Sequence, residues 1–277
     1  MKKGNVINRL GHIRSKQPWL VLSAAEKFLL AGSDNPVISH FYSFEMSRSL
    51  QETIAIPDGC VDIIFDCDTS KGTAEVFGTP MRAIDIQLEH GHRYFGVRFA
   101  SGVMPDCLEV SAEELIEQHF YLQDVIPNVN QLISAIVEEQ CFTEQVRLFN
   151  KFFDHKTSRK LSNLTQVVVN YTFKHQGNIR IDELADLTGY TTRTIQRQFR
   201  RDIGMSPKAF GRIIRCQSAV YDINHKERVA FSDLAFDLGF SDQSHFLKEF
   251  KKLVNATPLD YLNRVRHETY TSRIQYY

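Results

Sequence analysis

Between residues 53 and about 110, apolar positions come in short runs cut by Gly and Pro. "TIAIPDGCVDIIFDCD" (53–68) alternates and then runs apolar around a Pro57-Asp58-Gly59 turn. "AEVFGTPM", "AIDIQLEHGH" and "RYFGVRFASG" follow in the same manner. Short strands separated by turns predict a small β-barrel or sandwich. From Ser111 the period changes. "SAEELIEQ" opens with a capping box, Ser111 to Glu114. "NVNQLISAIVEEQ" and "TEQVRLFNKFFDH" carry the helical period. Their stripes, Leu132, Ile133, Ile136 and Val137 with Val146, Phe149 and Phe153, are either core or a face that pairs two chains, and the second use is favoured. "KTSRKLS" (156–162) reads as a polar linker. Beyond it the spacing predicts helices over 163–175, 181–188, 192–203, 207–224, 232–238, 243–254 and 258–266, so that the chain is expected to be helical to its end.

An internal repeat lies in this helical half. "LADLTGYTTRTIQRQFRRDIGMSP" starts at Leu184 and "LAFDLGFSDQSHFLKEFKKLVNATP" at Leu234. Leu184, Ala185, Gly189 and Tyr190 recur 50 positions later as Leu234, Ala235, Gly239 and Phe240, and Phe199 and Pro207 recur 51 later as Phe250 and Pro258. Each copy has a short helix, a glycine turn and a longer helix, the grammar of a helix-turn-helix. The longer helix of the first copy starts at Thr192. At 100° per residue Arg193, Gln196, Arg197 and Arg200 fall on one face roughly 100° wide, with Ile195 and Phe199 opposite. Basic faces usually only meet solvent. Here Gln196 stands among arginines, which suits base edges as well as phosphates, no acid follows until Asp202, and the second helix of such a motif is the one that enters the major groove. The second copy offers Gln243, Ser244, Leu247, Lys248 and Lys251, a less basic set. The intervening helix of 18 residues spans roughly 27 Å, which can hold two such helices about one DNA turn (~34 Å) apart.

Residues 165–264 resemble the DNA-binding domain of AraC-family transcription regulators. The resemblance rests on "IRIDELADLTGYTTRTIQRQFRRDIGMSPKAF" and on "SDLAFDLGFSDQSHFLKEFKKLVNATPLDY", whose G-F-S-D-Q-S-H-F run is highly specific. It implies base contacts from Arg193, Gln196 and Arg197 in the first motif and from Gln243, Ser244 and Lys248 in the second. Thr192, Arg200 and Lys251 complete the expected DNA-binding set. Two positions depart from the family pattern. An arginine often stands where Lys248 is, and lysine is a point donor without a bidentate fork. The segment also ends T-P-L-D-Y-L-N-R, without the usual Tyr-Arg pair. "IPDGCVDIIFD" and "GVRFASGVMPDCLEVSAEEL" resemble the first domain of such regulators, which implies a cupin-like barrel followed by helices. The expected fold is α+β, with an N-terminal cupin-like β-barrel and trailing helices over 1–155, a linker over 156–162, and an all-α domain with two helix-turn-helix motifs over 163–277. The resemblance further implies promoter DNA and RNA polymerase as partners, activation of transcription, a small-molecule effector or a protein signal for the first domain, and a homodimer.

Charge changes the picture once. The 277 residues are formally neutral, yet residues 160–277 hold 18 basic and 12 acidic side chains, net +6, and residues 1–159 carry net −6. A basic half points to a polyanionic partner. Hydrophobic content of 43% and charged content of 24% are those of a globular protein. No apolar run nears the ~20 residues of a membrane span, and a cytoplasmic location is expected. The five cysteines form no C-x-x-C pair, so reduced thiols are expected, with no cofactor. The competing reading is a cupin-type metal enzyme domain fused to a DNA-binding module, built on His90 and His92 as H-x-H. It lacks the carboxylate such sites need a few residues later, and no metal site is expected. Asp62, inside an apolar strand, needs a buried partner, and Arg98 is the candidate; a structural ion pair is favoured over acid–base work.

Overall fold

The computed structural model describes residues 16–47, 53–68, 72–153, 158–267 and 270–277. A short helix α1 (Pro18–Ser23) precedes strands β1 (Phe28–Gly32), β2 (Ile38–Glu45), β3 (Thr53–Ala55), β4 (Asp62–Asp66), β5 (Thr73–Phe77), β6 (Ile84–Ile86) and β7 (Arg93–Phe99). Then come α2 (Ala112–Leu115), β8 (His119–Tyr121), α3 (Leu122–Val125), α4 (Asn130–Glu138) and α5 (Phe142–Phe153). The main sheet runs β8-β5-β4-β7-β2-β1-β9, where β9 is Ile274–Tyr276 from the chain's end, and β3 pairs with β6 in a separate ribbon. Strand pairs in the main sheet are antiparallel, except that β9 lies parallel to β1.

Two expectations need correction. The sheet is open, with β8 and β9 at its edges, so the described residues form no closed barrel. And the chain ends in a strand, which occupies the edge beside β1. The physical reason is that both faces of the sheet are already covered. Successive strand residues point to opposite faces. Phe41, Phe65, Phe95, Val97 and Phe99 pack on one side with α4 and α5. Tyr42, Phe44, Ile64 and Tyr94 pack on the other with α1 and helices of the C-terminal half. The stripes expected to pair two chains belong to the first of these cores: Ile136 is fully buried, and Leu132, Ile133, Phe149 and Phe153 are buried with it. The outward positions Gln131, Ser134, Glu138 and Arg147 are polar and exposed.

The C-terminal half follows the predicted helices closely: α6 (Asn163–Lys174), α7 (Ile181–Thr188), α8 (Thr192–Ile203), α9 (Pro207–His225), α10 (Phe231–Asp237), α11 (Gln243–Val254), α12 (Pro258–His267) and α13 (Tyr270–Arg273). Its first core gathers Val168, Leu184, Ile195, Phe199 and Phe210. Its second, around Leu234, Phe246, Phe250 and Tyr261, is continuous with the sheet half. Trp19 of α1 makes the junction. Its Nε1 donates to the Val254 carbonyl at 3.0 Å, its ring meets Tyr261 edge-on at 5.5 Å, and the Arg264 guanidinium lies 4.7 Å from its centroid. Gln217 of α9 donates to the Pro57 carbonyl at 2.7 Å, and Arg273 donates to the Ala24 carbonyl at 2.7 Å.

Candidate nucleic-acid interface

The first motif is built from local signals. Gly189 ends α7 in the left-handed region at φ 72°, which turns the chain sharply. Thr191 then caps α8, its hydroxyl accepting from the Thr194 amide. Gly204 ends α8 at φ 86°, and Ser206 with Pro207 starts α9. The second motif uses Asp242 as the cap of α11, accepting from the His245 amide, and Asn255 at its left-handed end. Hydrogen bonds from the His245 amide and then the Ser241 hydroxyl hold the exposed Asp242 carboxyl below its ordinary value.

Burial of Ile195, Phe199 and Ile203 orients α8. Arg193, Gln196, Arg197 and Arg200 are all exposed on its outer side, and Thr192 at its start is half-buried. In α11 the burial of Phe246, Phe250 and Leu253 leaves Gln243, Ser244, Lys248 and Lys251 exposed, with Leu247 half-buried. The expected residues of each motif thus share one outer face of their helix. The face of α8 borders two depressions. On one side Gln196 and Arg200 line a cleft of about 810 Å³ whose far wall carries His245 and Glu249 of α11. On the other, Arg193 and Arg197 line a groove of about 540 Å³ against Ser111 and Glu113. Glu113 of α2 stands 3.9 Å from Arg200, both more than half exposed. Asp202, the first acid after the face, turns away: it accepts from the Ser162 amide at 3.1 Å and its hydroxyl at 2.8 Å, and so ties α8 to the start of α6.

Sequence reasoning did not find the cations on the floor of the cleft, Lys208, Arg212 and Arg215 of α9. They are spaced along a long helix among mostly buried positions, so no compact basic segment announces them. Nor did it place Glu113 beside the basic face, because the two are far apart in the chain.

The other candidates resolve as structure. His90 and His92 sit at the turn before β7 rather than on one strand face. His92 Nδ1 pairs with Asp66 at 2.9 Å, and that hydrogen bond raises its pKa above the ordinary histidine value, while His90 Nδ1 meets the Ser47 carbonyl. Among the described residues no group of three or more His, Cys, Asp or Glu side chains is placed to hold a metal ion. Asp62 pairs with Arg98, as its burial required. Arg98 Nη2 lies 2.7 Å from Asp62 and Nη1 lies 2.9 Å from Asp58. Tyr42 Oη donates to Asp62 at 3.1 Å, and Gln17 Nε2 donates to Asp58 at 2.8 Å. Among the described residues no helix is long and apolar enough to cross a membrane.

Residues 184–264 match the family described as Helix-turn-helix domain, and residues 35–121 match a Domain of unknown function (DUF6597). The HTH-type transcriptional activator RhaS of Escherichia coli O157:H7 is 25% identical over 132 residues, which cover 47% of this chain and 47% of RhaS. The match therefore spans about half the length of that curated relative. Among solved structures, a probable AraC family transcriptional regulator from Rhodopseudomonas palustris CGA009 is 29% identical, over 37% of this chain and 97% of that one, with a TM-score of 0.33. ToxT from Vibrio cholerae is 12% identical, over 82% of this chain and 98% of that one, with a TM-score of 0.45.

Proposed function

The chain belongs to the AraC family of transcription regulators, and from that premise we propose that it binds promoter DNA sequence-specifically, with α8 and α11 in two successive major grooves. The observation that carries the reading is the outer face of α8: Arg193, Gln196, Arg197 and Arg200, exposed together on a capped helix held by its buried side. Such a face can donate bidentately to guanine and pair with adenine, while the flanking arginines meet phosphates. Gln243, Ser244, Lys248 and Lys251 of α11 contribute the second half-site. Arg197→Ala is expected to weaken binding to a selected target duplex by about 1–3 kcal/mol, with a smaller loss on an unrelated duplex. Equal losses on both, measured by fluorescence anisotropy, reduce Arg197 to a phosphate contact.

The proposal extends to the rest of the chain. Residues 1–155 form a signal-sensing half, 156–162 a linker and 163–277 the DNA-binding half. The protein activates transcription through RNA polymerase, in the cytoplasm, in response to a small-molecule effector or a protein. The activator reading leans on the name of the RhaS relative. A homodimer must pair through a surface other than the apolar stripes of α4 and α5, which are spent on the sheet. Sedimentation of the purified chain tests this part: a monomer at concentrations that saturate DNA removes dimerisation from the proposal.

A further inference from the structure

We infer that the cleft between α8 and α11 is a second, sequence-independent DNA site, which takes the phosphate strands bordering the minor groove between the two major grooves. The inference rests on the DNA-binding reading of the two helices and deepens it. Two helices set in successive major grooves on one face of a duplex leave a minor groove, edged by two phosphate strands, facing whatever protein lies between them. What lies between them here is this cleft of about 810 Å³.

Its chemistry suits phosphodiesters. Arg200 of α8, Lys208, Arg212 and Arg215 of α9, and Arg180 all line it, against two acids, Asp182 and Glu249. The N-terminus of the 19-residue α9 opens on the same space through Ser206 and Pro207, so its dipole adds to the cationic field. The cations are incompletely neutralised. Arg212 Nε donates to Glu249 at 2.6 Å; its Nη2 and the Nε of Arg215 are buried and make no hydrogen bond within the described residues, so the accessible charge is mainly that of Lys208 and Arg200. Burial holds the Arg215 guanidinium below its ordinary pKa, and its contacts are carbonyls at 3.3–3.4 Å, the Asn178 side-chain oxygen at 3.3 Å and the Phe240 ring face at 4.9 Å. Glu249 neutralises Arg212 and, with Asp182, limits how much positive charge the cleft shows.

Lys208 is exposed, so its removal does not threaten the core. In the full-length chain, Lys208→Ala should weaken two duplexes equally, one selected by the chain from a random-sequence pool and one unrelated duplex of equal length. The loss should be about fivefold near 0.15 M salt, with the log–log salt slope shallower by about 1. Glu249→Gln should act in reverse, tightening both duplexes and steepening the slope. Unchanged slopes in both variants overturn the inference, as does a loss confined to the selected duplex. Saturable binding of inorganic phosphate that needs Lys208 and leaves duplex affinity unchanged assigns the cleft to a free anion and also overturns it. If no duplex is selected from the pool, the reading of α8 and α11 fails by itself, and the unrelated duplex still reports on the cleft.

Discussion

Arg98 lies at the centre of a buried charge cluster. It is 2% exposed, with Asp58 and Asp62 on either side and the Tyr42 hydroxyl on Asp62. The two carboxylates lift the guanidinium pKa well above its ordinary value even though burial opposes this, so the arginine stays charged. Burial also holds the neighbouring His40 well below the ordinary histidine value, and the Arg98 charge pushes it further down. A buried pair contributes little to stability relative to an apolar replacement of all its members, but removing one partner leaves the others uncompensated. Arg98→Met should therefore destabilise the chain by about 3–5 kcal/mol, because two carboxylates would remain in the core. Urea unfolding followed by the fluorescence of the single tryptophan measures it. A loss below about 1 kcal/mol would mean that water reaches the carboxylates and the cluster is not a buried ion network.

At the scale of elements, the two glycines that bracket α8 do different work. Both sit in the left-handed region, at φ 72° for Gly189 and φ 86° for Gly204. A Cβ at Gly189 would meet nothing within 4 Å, whereas one at Gly204 would collide with the Ala112 carbonyl and the Ile116 side chain. Gly189→Ala should cost only the backbone strain, about 1–2 kcal/mol. Gly204→Ala should cost more and loosen α2 from α8. Thermal unfolding of the two variants compares them, and equal losses would mean that α2 does not pack on α8 in solution. The same contrast explains what the sequence could convey. Helix bounds were legible because the signals that set them are local; the structure shows Thr191, Ser206 with Pro207, and Asp242 capping helices and Gly189 and Gly204 ending them. The basic face of α8 was legible too, since four residues on one helix carry it. Periodicity also showed that α4 and α5 each bury a face, but not against what, and the sheet rather than a second chain took it. Strand β9 escaped notice because the alternation in "RIQYY" covers only a few residues and its partner β1 lies more than two hundred residues away. Openness of the sheet is likewise a matter of long-range pairing. The cleft arises only when α8, α9 and α11 are brought together.

For the molecule as a whole, the question is how the acidic and basic halves act on each other. One possible arrangement is an electrostatic lock, in which the acidic half covers the basic face until a signal releases it. The structure does bring one acid there: Glu113 faces Arg200 at 3.9 Å, across the groove that Arg193 and Arg197 line. The geometry nonetheless argues for a weak lock. Both partners are more than half exposed. Such pairs are worth under ~1 kcal/mol, and screening removes longer-range attraction beyond about 8 Å at physiological salt. The stronger ties between the halves lie elsewhere, in the apolar core that Trp19 shares with Tyr261 and in the backbone pairing of strand β9 with β1. Those ties do not weaken with salt. Communication between the halves should therefore run through that core, with α2 following as a packed element. Glu113→Gln is then expected to tighten DNA binding by less than about fivefold at physiological salt, the equivalent of ~1 kcal/mol, and the gain should fade as salt is raised. A gain of tens of fold would show that the acidic half does act as an electrostatic lock on α8. A loss of affinity would mean that Glu113 holds Arg200 in a conformation that DNA uses.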